Sequence, residues 1–115
     1  MPTIYGIKNC DTMKKAFAWL ETAGIRYDFH DYKKSGIDAG TLERWEKVLG
    51  WETLLNRRGT TWRKLDEATQ ASVDRASALR LMQEQPSLIK RPVVEGGKTL
   101  LCGFDADAWH KALVD

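Results

Sequence analysis

The residue best placed to do chemistry in this sequence is Cys10, because of what surrounds it. It lies in the stretch TIYGIKNCDTMKK, where a short β-favouring run is followed by turn-forming residues and then by a helical pattern. Cys10 is therefore expected at or just before a helix N-terminus, where free backbone N–H groups carry partial positive charge. Such a position stabilises the thiolate, the nucleophilic form of cysteine. The alternative is an inert buried thiol, but the polar neighbours of Cys10 favour a reactive one.

Two basic segments are candidates to complete an anion-binding site around this cysteine. Arg57 and Arg58 fall in the polar stretch NRRGTT, and Arg91 precedes Pro92 and an apolar run. We expect Pro92 to form a cis peptide bond at the start of a strand. If this proline lies beside the reactive cysteine, Arg91 would bind an anion there through paired N–H donors. Taken alone, the arginine pair is typical of a solvated loop, and Arg91-Pro92 of an ordinary strand start.

The other cysteine and the two histidines point to structural roles. Cys102 lies in the apolar run LLCGF and is expected to be buried in the core. A redox pair between Cys10 and Cys102 stays open, because the sequence does not give their separation. His30 is expected to be structural or at the surface, and His110 to be exposed. This scattered spacing fits no zinc pattern, so no metal is expected.

Length and composition bound the class of protein. The chain has 115 residues, a formal net charge of +2 and two cysteines. We expect a single domain over 1–115 that is not built on disulfides. The N-terminus lacks the pattern of a signal peptide, so a cytoplasmic location is expected. The small net charge and the absence of a long apolar run favour neither a nucleic-acid nor a membrane partner.

The spacing of apolar residues predicts an α/β fold. Strands are expected at 3–7 and 25–32, helices at 11–23 and 41–49, short helical turns or a loop at 51–65, and helix again at 67–84. A hairpin of 93–94 and 99–101 around Gly-Gly follows, and then a helix at 105–114 with Asp105 as its cap. A β-α-β opening favours parallel strands. The predicted architecture is a thioredoxin-like fold with a small mixed β-sheet and a helical insertion at about 38–85.

Several of these segments together resemble the ArsC/Spx family, and the YffB-like branch most closely. They are YGIKNCDT at 5–12, NRRGTTWRKL at 56–65, LIKRPVV at 88–94 and Gly103-Phe104. The resemblance extends along essentially the whole chain. It implies that Cys10 is a nucleophile and that Arg58 and Arg91 hold an oxyanion. The site residues expected with them are Asn9 and Pro92, and Arg57 and Lys8 are further candidates.

The chain departs from the family pattern at two positions. Arsenate reductases of the family carry a further arginine where this chain has Gly103, which puts efficient arsenate reduction in doubt. Several Spx regulators carry a Cys-x-x-Cys switch, but here Met13 occupies the position of the second cysteine. A single-cysteine site needs an outside thiol to complete its cycle, and the resemblance implies glutathione, with glutaredoxin as a further partner.

The first functional hypothesis is therefore a glutathione-dependent thiol oxidoreductase that acts on a small anionic or disulfide substrate. One alternative is an arsenate reductase coupled to glutathione and glutaredoxin. The other is a regulator that binds RNA polymerase, as Spx proteins do.

Overall fold

The computed structural model describes all 115 residues as two compact units. The first unit, here called the sheet unit, comprises residues 1–35 and 91–115, and the helical unit comprises residues 36–90. The helical insertion predicted at about 38–85 falls within the helical unit. No helix in the chain has the combined length and apolar character needed to span a membrane.

A four-stranded mixed sheet organises the sheet unit. Its strands are β1 (Thr3–Gly6), β2 (Asp28–Asp31), β3 (Val93–Glu95) and β4 (Leu101–Cys102), in the order β2-β1-β3-β4. β1 is parallel to β2 and antiparallel to β3, and β3 is antiparallel to β4. The predicted α/β class and mixed sheet are confirmed.

Eight α-helices accompany the strands, and a 3-10 turn at Pro86–Leu88 precedes β3. The helices are α1 (Asp11–Ala23), α2 (Tyr32–Ser35), α3 (Ala39–Leu49), α4 (Trp51–Leu54), α5 (Thr60–Arg63), α6 (Glu67–Ala71), α7 (Arg75–Glu84) and α8 (Ala106–Leu113). The predicted helices at 11–23 and 41–49 are confirmed, and the helical region predicted at 67–84 forms two helices, α6 and α7.

The core of the sheet unit lies between one face of the sheet and helices α1 and α8. Helix α1 buries Met13, Ala16 and Leu20, whose spacing places them on one helical face. They form one cluster with Ile4 of β1 and with residues of β3, β4 and α8. Gly24 ends α1 in the left-handed conformation, with φ of 69°. Helix α1, which Cys10 caps, is thus packed onto the sheet along its length.

The helical unit has its own core, in which Trp45, Leu54 and Met82 are fully buried. Backbone hydrogen bonds tie the end of α4 to the segment before β3: the Asn56 N–H donates to the Leu88 carbonyl at 2.7 Å, and the Lys90 N–H donates to the Leu54 carbonyl at 2.7 Å. These bonds fix the start of the loop that carries Arg57 and Arg58.

The strands are shorter than predicted for identifiable reasons. The predicted strand 25–32 begins only at Asp28, because the Ile25 N–H donates to the Leu20 carbonyl at 3.0 Å and so belongs to the end of α1. The hairpin has a longer turn than predicted, since Lys98 donates its N–H to the Ala112 carbonyl at 3.1 Å instead of extending β4. Asp105 stands at the cap position of α8, but its side chain makes no capping hydrogen bond.

Candidate active site

Cys10 is the N-cap residue of α1, immediately after the turn that follows β1. Its backbone is extended, with φ −148° and ψ 131°. Its carbonyl accepts the Lys14 N–H at 3.0 Å as the first bond of the helix. The thiol is half-buried and makes no formal capping hydrogen bond, but it faces the free N–H groups of the first turn. The predicted placement of Cys10 at a helix N-terminus is confirmed.

The environment of Cys10 favours the thiolate. Partial burial acts to raise the pKa of the thiol, because it disfavours the charged form. The Met13 N–H, the Arg91 guanidinium and the Thr12 N–H act in the opposite direction and together hold the pKa below its usual value. Arg91 contributes both as a hydrogen-bond donor and as a positive charge. Of the two predicted arginine segments, the one at Arg91 therefore acts directly on the nucleophile.

Arg91 is positioned by the loop that leads into β3. The peptide bond between Arg91 and Pro92 is cis, as predicted from the sequence. Pro92 is buried, and its carbonyl accepts the N–H of Gly103 at 2.7 Å. Gly103 adopts φ of 82°, in the left-handed region that favours glycine. The end of β4 thus holds the loop that presents Arg91.

Cys102 is half-buried, so the prediction of a core cysteine is wrong. The reason is the register of the sheet. Cys102 pairs with Val93, which is in register with Tyr5, and Tyr5 pairs with His30. Paired residues of neighbouring strands point to the same face. Cys102 therefore lies on the face of Tyr5 and His30, whereas Cys10 packs against the cluster on the face covered by α1 and α8.

The face of the sheet that carries Cys102 also holds an aromatic group that the sequence analysis did not single out. Tyr32 is buried, with 4% of its surface exposed, and its hydroxyl has no hydrogen-bond partner. Its ring lies 6.0 Å from His30 and 6.5 Å from Tyr5. Burial, together with the nearby Cys102 and Tyr5, raises the pKa of Tyr32 far above its usual value, while Arg91 opposes this. Arg91 thus acts to lower the pKa of both Cys10 and Tyr32.

Asn9 and Lys8 precede the nucleophile and have exposed side chains. The Asn9 side chain makes no hydrogen bond, and the Lys8 carbonyl accepts the N–H of Cys10 at 3.1 Å. Both residues remain predicted contributors to binding, because neither side chain has a partner in the structure that would define its role.

Arg57 and Arg58 belong to the helical unit and differ in their surroundings. The guanidinium of Arg57 lies 5.7 Å from the ring centre of Trp51 and 5.6 Å from that of Trp62, within the range of cation–π contact. The side chain of Arg58 is exposed and has no hydrogen bond, ion pair or ring contact, while its backbone N–H donates to Asn56 Oδ1 at 3.1 Å. Arg57 therefore has aromatic partners that Arg58 lacks, and Arg58 stays the predicted ligand-binding arginine of the pair.

One cleft of the sheet unit lies away from Cys10, and the chain has no candidate metal cluster. A cleft of about 390 Å³ lies beside Pro2, Gly97 and Leu113, at the end of β1 opposite to Cys10. No three side chains among His, Cys, Asp and Glu come together in a way that could hold a metal ion. Cys10 and Arg91 are the candidate centre of the sheet unit, because Arg91 acts to lower the pKa of the Cys10 thiol.

Comparison with known proteins agrees with this geometry. Residues 5–112 match the model of the ArsC family. The solved structure of a protein named YFFB is 56% identical, with a TM-score of 0.94, and the match covers 99% of this chain and 100% of that one. An arsenate reductase (ArsC) related protein from Brucella melitensis is 58% identical, with a TM-score of 0.77 and coverage of 96% and 92%. The thioredoxin-like fold and the likeness to the YffB-like branch are confirmed.

A more distant relative carries a regulatory name. The global transcriptional regulator Spx of Streptococcus mutans is 27% identical over 113 residues, which cover 93% of this chain and 79% of the regulator. The relatives of this chain therefore include a protein named as reductase-related and a protein named as a regulator.

Proposed function

Because the chain belongs to the ArsC family, we propose that it is a thiol-dependent reductase with Cys10 as its nucleophile. The observation that carries this proposal is the action of Arg91 on Cys10 at the start of α1. A thiol whose pKa is lowered by a helix N-terminus and a guanidinium has the properties of a catalytic cysteine. An inert core cysteine needs neither.

The substrate we propose is a mixed disulfide of glutathione with a small thiol or a protein thiol. The Cys10 thiolate attacks the glutathione sulfur, a bond forms between the two sulfurs, and the substrate leaves as its free thiolate. A second glutathione thiolate then attacks the disulfide on Cys10 and releases oxidised glutathione. Each step exchanges one disulfide for another, so two electrons pass from glutathione to the substrate and Cys10 returns to its thiolate form.

The placement of the second cysteine supports an outside thiol as the resolving group. Cys102 lies on the sheet face opposite to the one on which Cys10 packs. Both cysteines are free in the structure, and an internal disulfide would require a Cα separation below about 7 Å and converging side chains. Glutathione is the proposed co-substrate, with its carboxylates bound by Arg91 and Arg58, and glutaredoxin is a proposed partner. These reactions belong to a reducing compartment, and we propose a cytoplasmic location on that ground.

The test is glutathione-dependent reduction of a mixed disulfide, followed as NADPH consumption through glutathione reductase. Cys102→Ser provides a matched control, since it removes a thiol from the opposite face. The expected result is turnover by the native protein and by Cys102→Ser, with none above background for Cys10→Ser. Equal rates for native protein and Cys10→Ser would refute the assignment.

Arsenate reduction is the second candidate, favoured by the likeness to the Brucella melitensis protein. In that reaction two thiols supply two electrons, and arsenate becomes arsenite and water while a disulfide forms. Gly103 offers no guanidinium where arsenate reductases of the family carry one, so Arg91 and Arg58 would hold the oxyanion alone. The same coupled assay with arsenate and glutaredoxin decides between the substrates. Activity with neither substrate, together with capture of RNA polymerase from cell extract, would instead favour a regulator of the Spx kind.

A further inference from the structure

A line of hydrogen bonds connects the buried Trp109 of α8 to the loop that presents Arg91. The Trp109 indole N–H donates to the Gly103 carbonyl at 3.0 Å. The Gly103 N–H in turn donates to the Pro92 carbonyl at 2.7 Å. Pro92 is joined directly to Arg91, whose guanidinium acts on the Cys10 thiol. One residue, Gly103, thus receives a bond from the core and gives one to the active-site loop.

The surroundings of Trp109 fix the direction of its N–H. The side chain is fully buried. Its ring meets Trp19 of α1 edge-on, at 5.8 Å and 87°, and meets Phe104 at 5.0 Å and 80°. Buried aromatic rings held from two sides have little freedom to turn. The indole therefore offers a donor of fixed direction to the Gly103 carbonyl.

The conformation of Gly103 allows it to serve both bonds. With φ of 82°, its backbone turns so that its carbonyl faces the Trp109 indole while its N–H reaches Pro92. Without the indole donor, this part-buried carbonyl would lose a hydrogen bond. Gly103 would then be held through its N–H alone and its carbonyl could turn, because glycine has few conformational restraints of its own.

We propose that Trp109 is a positioning residue of the active site, which holds Arg91 against Cys10 through Gly103 and Pro92. It touches neither the thiol nor any substrate. This inference rests on the proposed function and assigns one more residue to the same site. Its test does not require the substrate to be known.

The test compares Trp109→Phe with Trp19→Phe. The first change removes the indole N–H and keeps an aromatic ring, whereas the second removes an indole of the same cluster that makes no hydrogen bond to Gly103. The rate of Cys10 alkylation by iodoacetamide is measured against pH in a Cys102→Ser background. We expect alkylation at pH 7 to be about threefold slower in Trp109→Phe than in the native protein. Full loss of the Arg91 contact would slow alkylation about tenfold or more, so Trp109→Phe should show part of that loss. Trp19→Phe should leave the profile unchanged.

A double variant separates positioning from general loss of packing. In an Arg91→Ala background, Trp109→Phe should slow alkylation no further, because the proposed effect passes through Arg91. An unchanged pH profile in Trp109→Phe, or equal slowing with and without Arg91, would overturn the proposal.

A second measurement uses the native protein and does not depend on a variant that folds. The indole N–H resonance of Trp109 and the amide resonance of Gly103 should shift with the same midpoint as the titration of Cys10, while the Trp19 indole resonance stays constant. Constant resonances at Trp109 and Gly103 would contradict the proposed connection. Failure of the disulfide-reductase assay would leave both of these results intact, so the two proposals fail separately.

Discussion

Replacement of Gly103 tests two features of the site: the left-handed backbone at this position, and the absence of the arginine that arsenate reductases of the family carry there. Gly103 has φ of 82°, where an L-residue with a Cβ costs about 1–2 kcal/mol. Gly103→Arg would also return a charge-assisted hydrogen bond worth about 1.5–3 kcal/mol to a bound oxyanion. We therefore expect Gly103→Arg to lower the free energy of unfolding by about 1–2 kcal/mol. Its arsenate turnover would rise by about tenfold or more if the missing donor limits that reaction.

Gly103→Ala separates these two effects, since alanine keeps both backbone hydrogen-bonding groups and adds only the Cβ. The assay is urea denaturation followed by circular dichroism, with the midpoint and slope compared between variants. Gly103→Ala should lose about the same 1–2 kcal/mol as Gly103→Arg with no change in slope, and it should gain no arsenate turnover.

Gly40→Ala serves as the control for replacing a glycine. Gly40 lies in α3, and an added Cβ would meet only Asp38 Oδ1, at 3.6 Å. This variant should be no less stable than the native protein, because alanine favours helix over glycine. If Gly103→Ala unfolded at the same urea concentration as the native protein, the left-handed conformation of Gly103 would be refuted.

Three further predictions follow from the site. Arg91→Ala removes a cation that lowers the pKa of Cys10, so the alkylation rate of Cys10 should reach its plateau at a higher pH than in the native protein; an unmoved profile would exclude Arg91 as a partner. Arg57→Ala should change the tryptophan fluorescence of the native protein, because it removes the guanidinium from two indoles, whereas Arg58→Ala should weaken substrate binding and leave the fluorescence unchanged. Tyr32→Phe should raise the free energy of unfolding by about 1 kcal/mol in urea denaturation, since it deletes a buried hydroxyl that has no partner; a less stable variant would show that the hydroxyl has a role.

Local signals in the sequence were sufficient to predict the start of the site. The strand, turn and helical pattern around Cys10 places the cysteine at the cap of α1. This feature depends on neighbours within a few residues, for which residue type and spacing are informative. The cis bond at Pro92 instead depends on the fold, because the local sequence of Arg91-Pro92 is that of an ordinary strand start.

The features that were missed depend on distant parts of the chain. The face on which Cys102 lies is set by the register of β4, and a shift of one residue would reverse it. The apolar neighbours of Cys102 indicated burial but could not give that register. Likewise, Arg57 and Arg58 have the same local sequence, and only the placement of the indoles of Trp51 and Trp62 distinguishes them.

The division of the sheet unit into two segments of sequence affects how the protein is made. Cys10 and β1 leave the ribosome about 80 residues before Arg91 does. The central strand β1 must wait for β3, and the N-terminal segment cannot complete its sheet alone. Residues 36–90 have a core of their own in the folded protein, and forming that core first would shorten the effective loop that must close. The nascent chain therefore carries Cys10 without its guanidinium partner until Arg91 has been made and β3 has joined the sheet.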